Sequence, residues 1–286
     1  MTCVAPTRAS ASVRPSRITA LLPAHNEAGT IRGAITALRS QTRPPDAIIV
    51  VADNCTDETE QIARDEDVDI YATRGNTDKK AGALNQVLAI LLAELDDDDV
   101  VLVQDADSIL DRVFIDEAME RLADPSYGAV GGVFRGDDRR GFVAHLQRNE
   151  YARYARDVAR LKGRCLVVTG TAALFRVATL RRISAARRNG RLPAGDGRGG
   201  VYDTTVLTED NEISFAIMHL GYRIISPSTC TLVTETMPTW RALWDQRLRW
   251  KRGAVENCVQ YGLTRVTWRY WGRQLLGMLG VLVTLL

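Results

Sequence analysis

The chain has 286 residues, 45% of them hydrophobic and 25% charged, which is enough for one large domain or two small ones and excludes a collagen-like, wholly disordered or small disulfide-stapled protein. Its 37 basic and 35 acidic residues leave a net charge of +2, so the overall charge gives no argument for nucleic acid as a partner. Five cysteines (Cys3, Cys55, Cys165, Cys230, Cys258) are scattered without a CxxC pair, a pattern that fits a reducing compartment and not a disulfide framework or zinc site.

Residues 1–17 are rich in Ser, Thr, Pro, Ala and Arg and lack the apolar stretch of a signal peptide, so they read as a disordered tail. Ile18–Leu22 is a short apolar run that stops at Pro23. Helical spacing follows from Glu27 to about Arg39, with Ile31, Ile35 and Leu38 on one face. Ala47–Val51 is a second apolar run, closed by Asp53-Asn54. Thr56 or Asp57 is placed to cap a helix through about Arg64, and Val68–Ala72 is a third strand. Ala81–Leu95 reads as a helix with Leu84, Leu88, Leu91, Leu92 and Leu95 as its core stripe, and Asp96–Asp99 as a solvated loop. Val100–Val103 runs directly into Gln104-Asp105-Ala106-Asp107. Alternating strands and helices with continuous apolar strands predict an α/β fold whose mostly parallel sheet is covered on both faces. Such sheets bind ligands beyond the carboxyl ends of their strands.

The second half is less regular. Ala129–Phe134 and Leu166–Phe175 read as strands around a long helix, about Phe142–Leu161. Arg187–Gly200 reads as a mobile Gly- and Arg-rich loop, Asp210–Leu220 as a helix and Tyr222–Ile225 as a strand. All five tryptophans fall from Trp240 onward, and the stretch from Thr239 to Arg273 has eight basic and two acidic residues. This reads as a C-terminal amphipathic region suited to an anionic membrane surface. Leu275–Leu286 is apolar but only twelve residues long, too short to cross a bilayer, which needs about 20. It is expected to lie at an interface or to be the start of a membrane segment.

Several short motifs sit where chemistry would be done. The carboxylates of Asp105 and Asp107 at a strand end are costly together unless a cation sits beside them, and Mg²⁺ or Mn²⁺ favours such hard oxygen ligands. Lys79-Lys80-Ala81-Gly82 opens a helix, where backbone N–H groups and a lysine favour an anion. Thr208-Glu209-Asp210 begins another helix and offers a carboxylate as general base or as a cap. Gln246-Arg247-Leu248-Arg249-Trp250 combines an amide, arginines suited to phosphate oxygens and an indole. The first strand ends in Pro23-Ala24-His25-Asn26-Glu27 and not in a GxGxxG turn, which argues against a nicotinamide-dependent oxidoreductase.

In order and spacing these motifs resemble the family 2 glycosyltransferases, the GT-A fold group that includes cellulose, chitin, hyaluronan and poly-N-acetylglucosamine synthases. Pro23–Glu27 is similar to the family's first-strand motif, and Val50–Thr59 to its second-strand acidic motif, with Ala52 at the first of two positions that are often both Asp. Lys80-Ala81-Gly82-Ala83-Leu84-Asn85 is similar to the GKAGALN segment, with Lys79 where glycine is usual. Asp105-Ala106-Asp107 matches the DxD, Thr208-Glu209-Asp210 the TED and Gln246–Trp250 the QxxRW. The resemblance implies a Rossmann-like GT-A domain over residues 18–235, QxxRW-bearing helices over 236–273 and an apolar segment over 274–286.

It also implies a function: inverting, metal-dependent transfer of a sugar from a nucleotide donor, UDP-N-acetylglucosamine or UDP-glucose foremost, to a hydroxyl on a glycan, lipid or protein. Pro23, Asn26, Glu27 and Asp53 are expected at the nucleoside, Lys80 at the diphosphate, Asp105 at the ribose or sugar, and Asp107 at Mg²⁺ or Mn²⁺. Asp210 is expected as the base, with Gln246, Arg249 and Trp250 over the diphosphate and Thr208, Glu209 and Trp250 toward the acceptor. The expected location is cytoplasmic, at the inner face of the membrane, with no nucleic-acid partner. The other readings are the catalytic part of a processive membrane synthase and a non-catalytic sugar-nucleotide-binding module.

Overall fold

The computed structural model describes residues 16–285, with side chains through residue 276. The first half alternates β1 (Ile18–Ala24), α1 (Ile31–Arg39), β2 (Ala47–Ala52), α2 (Thr59–Asp65), β3 (Asp69–Ala72), α3 (Lys79–Glu94) and β4 (Val100–Gln104). Next come β5 (Ile109–Leu110), α4 (Phe114–Leu122), β6 (Tyr127–Gly131), β7 (Val133–Gly136), α5 (Phe142–Arg160) and β8 (Ala172–Arg176). The chain then forms α6 (Val177–Arg188), α7 (Glu209–His219), β9 (Arg223–Ile225), β10 (Thr231–Thr234), α8 (Trp240–Tyr261) and α9 (Trp268–Leu285).

The main sheet has the order β3-β2-β1-β4-β8-β6-β9. Its pairs are parallel except that β8 runs antiparallel to both β4 and β6, so the sheet is mixed and mostly parallel, as the GT-A resemblance implies. The strands are apolar on both faces because both faces are covered. Leu21, Val51, Val101 and Val103 pack with Leu84 and Leu88 of α3 and Ile183 of α6. Their neighbours Leu22, Val50 and Leu102 pack on the other side with Ile31 and Ile35 of α1 and Phe114 of α4. A second sheet, β5-β10-β7, joins the segment after Asp107 to the segment before α8.

Several boundaries differ from the sequence reading. β1 continues through Pro23 to Ala24, because β4 pairs with β1 only as far as Leu21 and no ladder bond on that side is lost to the proline. Residues 27–30 are a turn, in which the N–H groups of Thr30 and Ile31 both donate to Glu27 O (3.0 Å each), so α1 starts at Ile31. The run Ala129–Phe134 divides between the two sheets at Gly132, where a Cβ would lie 2.4 Å from Leu232. Only Ala172–Arg176 of the run Leu166–Phe175 is strand.

Val177–Arg188 is a helix that the arginine-rich sequence concealed, and Arg187 belongs to it, wholly buried, not to a mobile loop. The connection after it is fastened: Ser184 donates to Gly199 O (2.6 Å) and Arg187 to Pro193 O (2.9 Å). Asp99 is buried, not solvated, and accepts from the N–H groups of Arg17 (2.9 Å) and Asp96 (2.8 Å). Among the described residues no helix is long and apolar enough to cross a membrane. The expected tail lies outside the described residues except for Ser16 and Arg17, as do the side chains of most of the apolar C-terminal segment.

Candidate active site

The strand order reverses at β1, with β2 and β3 on one side and β4 on the other, and the motifs gather at the carboxyl ends of these strands. Asp105 follows β4. Because β8 is antiparallel to β4, its amino end lies beside Asp105, and Asp105 N–H donates to Thr171 O (2.9 Å). Lys80, in the first turn of α3, donates from Nζ to Asp105 Oδ1 (2.5 Å) and to Gly170 O (2.9 Å) and lies 3.4 Å from Glu209 Oε1. Asp210 opens α7; its Oδ2 accepts from Gly170 N–H (3.2 Å) and its Oδ1 from Asn211 N–H (2.8 Å). Lys80, Asp105, Glu209 and Asp210, distant in sequence, thus meet around one stretch of backbone.

The electrostatics follow from this packing. Burial disfavours the Lys80 ammonium, but the charges of Asp105 and Glu209 outweigh it and hold the group above the usual lysine range. Burial, with the charge of Asp105 added, pushes Asp107 up to about 7. Burial, and then the charge of Glu209, pushes Asp210 up to about 6, with Lys80 pulling the other way. A carboxyl near 6 is suited to accept a proton at neutral pH.

The residues expected at the nucleoside form a neighbouring group at the ends of β1 and β2. Asp53 Oδ1 accepts from Thr73 Oγ1 (2.8 Å), Asn76 Nδ2 (2.8 Å) and Asn54 Nδ2 (3.0 Å), which fixes the carboxylate. Pro23 is half-buried near the end of β1. Asn26 has φ 59°, and its Oδ1 accepts from Thr56 N–H (2.8 Å). Glu27 is raised chiefly by burial; Thr30 donates to its Oε2 (2.7 Å) and opposes that shift. Lys79 has φ 53°, the left-handed region that favours glycine.

A cavity of about 1920 Å³ is lined by Lys80, Asp105, Asp107, Thr208, Glu209 and Asp210, and by Gln246, Arg249 and Trp250 of α8. Pro23, Asn26, Glu27 and Asp53 do not line it. Arg247 instead packs over the Trp250 ring (4.3 Å) and pairs with Glu150 (2.7 Å), leaving Arg249 on the cavity wall with no carboxylate within 4.0 Å among the described residues. The Thr208 hydroxyl is turned to α8, where it accepts from Asn257 Nδ2 (3.0 Å).

Glu235 also lines the cavity, and its charge helps to raise Asp107. Sequence reasoning missed it because it follows β10, which reaches the site through tertiary pairing with β5 and β7. Among the described residues no three His, Cys, Asp or Glu side chains form a metal cage. Two carboxylates with a ligand phosphate are nonetheless the hard-oxygen set that Mg²⁺ or Mn²⁺ accepts, and a buried acid raised by its neighbour is relieved by a cation. Asp105 and Asp107 therefore fit the metal.

A mixed α/β sheet with acidic motifs at its strand ends is the GT-A-like architecture of sugar-nucleotide transferases. Residues 15–253 match the family described as "Glycosyltransferase like family 2", and the chain belongs to it. The poly-beta-1,6-N-acetyl-D-glucosamine synthase of Staphylococcus aureus (strain MSSA476) is 30% identical over 253 residues, covering 84% of this chain and 55% of that protein. The chain thus spans about half the length of the curated relatives it matches. Among solved structures, the mannosyltransferase PcManGT from Pyrobaculum calidifontis, in complex with GDP-Man and Mn²⁺, shares the fold with a TM-score of 0.64 at 22% identity, covering 91% of this chain and 70% of that one. Staphylococcus aureus TarS 1–349, in complex with UDP-GlcNAc, superposes with a TM-score of 0.53 at 16% identity over 84% of this chain and 66% of that one.

Proposed function

We propose that the chain moves a sugar from a UDP-sugar, N-acetylglucosamine or glucose, to an acceptor hydroxyl with inversion, and that Asp210 is its general base. The observation that carries this reading is the meeting of Asp210 with Lys80 and Asp105 around Gly170–Thr171, at one end of a cavity roofed by Gln246, Arg249 and Trp250. An alcohol is a poor nucleophile, so its proton must leave as it attacks; a positioned carboxylate with a pKa of about 6 can take it, a contribution on the order of 10²–10⁴ in rate. The nucleotide departs with growing negative charge, which Lys80 and Arg249 would meet. Asp107, with Asp105, would hold the divalent cation, which when bound adds positive charge at the departing diphosphate. Asp53 and Glu27, with Pro23 and Asn26, would hold the nucleoside, and the segment Thr208–Asp210 with Trp250 would border the acceptor.

The match to poly-N-acetylglucosamine synthases, of which this chain spans 55%, supports a second reading as the catalytic part of a longer polysaccharide synthase. Trp240, Trp244 and Leu248 are four residues apart on α8 and 57%, 68% and 55% exposed, and the Trp240 ring lies 6.2 Å from that of the exposed Phe142. This apolar stripe, with the excess of basic residues around it, supports contact with an anionic membrane surface.

The test is nucleotide release from a panel of UDP- and GDP-sugars with Mn²⁺, Mg²⁺ or EDTA. Metal-dependent release from one UDP-sugar, lost in Asp107→Ala and Asp210→Asn, is the expected result. Full turnover by Asp210→Asn would remove Asp210 as the base.

A further inference from the structure

Helix α7 has two working sides. Glu209, Asp210 and Ile213 face the end of the site where Lys80 sits. The other side seats α8. The buried residues of α8 are Gly253, Ala254, Asn257 and Cys258, with no large apolar side chain among them. Besides the edge-on contact of Tyr261 with Phe215, the seat is made by hydrogen bonds. Asn257 is fully buried and donates from Nδ2 to both Thr208 Oγ1 (3.0 Å) and Thr208 O (3.2 Å). One turn earlier lies Gly253, where a Cβ would stand 2.5 Å from Thr208 Oγ1, so α8 approaches Thr208 as closely as a helix can. One turn later Tyr261 donates to Glu212 Oε1 (2.5 Å), whose other oxygen is held by buried Arg187 (2.5 Å).

Gly253, Asn257 and Tyr261 are four residues apart and share one face of α8. Apolar contact tolerates sliding, whereas hydrogen bonds to one buried carbonyl and one hydroxyl are met in a single register. A leucine at 257 would bury as well but would take the donor from the buried Thr208 hydroxyl, while the asparagine leaves its own Oδ1 without a partner among the described residues. What the amide adds is direction. Gln246, Arg249 and Trp250 lie two to three turns toward the amino end of the same helix, so the register at Asn257 sets where they stand along the cavity that Lys80 and Asp105 also line.

We propose that Asn257 is a positioning residue: it docks α8 on the TED segment so that Gln246, Arg249 and Trp250 close over the second phosphate of the donor, with Tyr261–Glu212 as the second fastening. This rests on the reading of α8 as the wall over the diphosphate. The test compares UDP with UMP, both titrated with Mn²⁺ against the wild-type chain, Asn257→Leu and Tyr261→Phe, alongside thermal melts. Asn257→Leu is expected to keep its UMP affinity within about twofold and to lose about tenfold of the affinity that the second phosphate adds. Tyr261→Phe should lose about threefold in the same ratio, and it carries the test if Asn257→Leu does not fold. A UDP-to-UMP ratio equal to wild type, or a parallel weakening of both nucleotides, would overturn the proposal. Wild-type chain that binds neither nucleotide would instead bring down the donor reading, and this proposal with it.

Discussion

The two halves of the molecule are held by different forces. Around β1, β2 and β4 the packing is apolar: Ile18, Leu21, Leu22, Val50, Val51 and Leu102 are wholly buried in two layers. Around α7 the apolar residues Ile213, Phe215 and Ile217 are joined by polar packing: a buried Arg187–Glu212 ion pair, a buried asparagine and a run of hydroxyls. Apolar packing responds to volume and little to direction; hydrogen-bonded packing responds to both. The first half thus sets the shape of the floor and the second sets the register of the roof. Asp210 lies on the seam, and the variants below separate the two contributions.

The largest effect is expected at the seam. Asp210→Asn should lower kcat on the order of 10²–10⁴ while leaving donor binding in place, read by nucleotide release and by titration. The wild-type kcat should fall on the acid side through a pKa of about 6, since the carboxyl must be ionised to accept a proton. Stability runs the other way. A folded-state pKa of about 6 against 3.8 means that the native state holds this proton more tightly than the unfolded one, so the contribution is full below about 4 and lost as pH rises through 6. Asp210→Asn should therefore raise Tm at pH 7.5 and have little effect at pH 4.

Next is the polar half. Arg187→Met leaves Glu212 buried without its cation and should cost about 3–5 kcal/mol in urea unfolding, whereas Arg187→Met with Glu212→Leu should cost much less. Equal losses would mean that the pair is not what holds α7. In the apolar half, Leu102→Ala should cost about 2–5 kcal/mol and leave the affinity gained from the second phosphate unchanged. A change in that affinity would erase the division between floor and roof. The smallest effect is at Lys79, whose φ of 53° burdens a side chain; Lys79→Gly should stabilise the chain by about 1 kcal/mol, read as a higher Tm.

The same division governs how much can be read without coordinates. The strands of the first half stand out as unbroken apolar runs, and their ends coincide with the acidic motifs, so floor and motif positions are legible together. Val177–Arg188 is not, because its buried face mixes Val177, Leu180 and Ile183 with Ser184 and Arg187 and offers no clean stripe. The burial of Arg187 depends on Glu212, a partner found only in three dimensions. Glu235 is hidden for the same reason, and the split at Gly132 depends on the crowding by Leu232. That Lys80, Asp105 and Asp210 meet was suggested by the family resemblance and by no local pattern, since none of the three contacts lies within one element.

The antiparallel strand β8 has a kinetic consequence. A strand parallel to its neighbours would have put its amino end at the far side of the sheet; β8 instead delivers Gly170–Thr171 to the place where Asp105, Lys80 and Asp210 each need a backbone partner. Those contacts span |i−j| of 90 and 40 residues, against neighbouring pairings for β1 and β2 that close early in the chain. Contacts so distant in sequence carry a larger closure cost than the β1–β2 pairing, so amide protection in refolding is expected at β1 and β2 before Gly170.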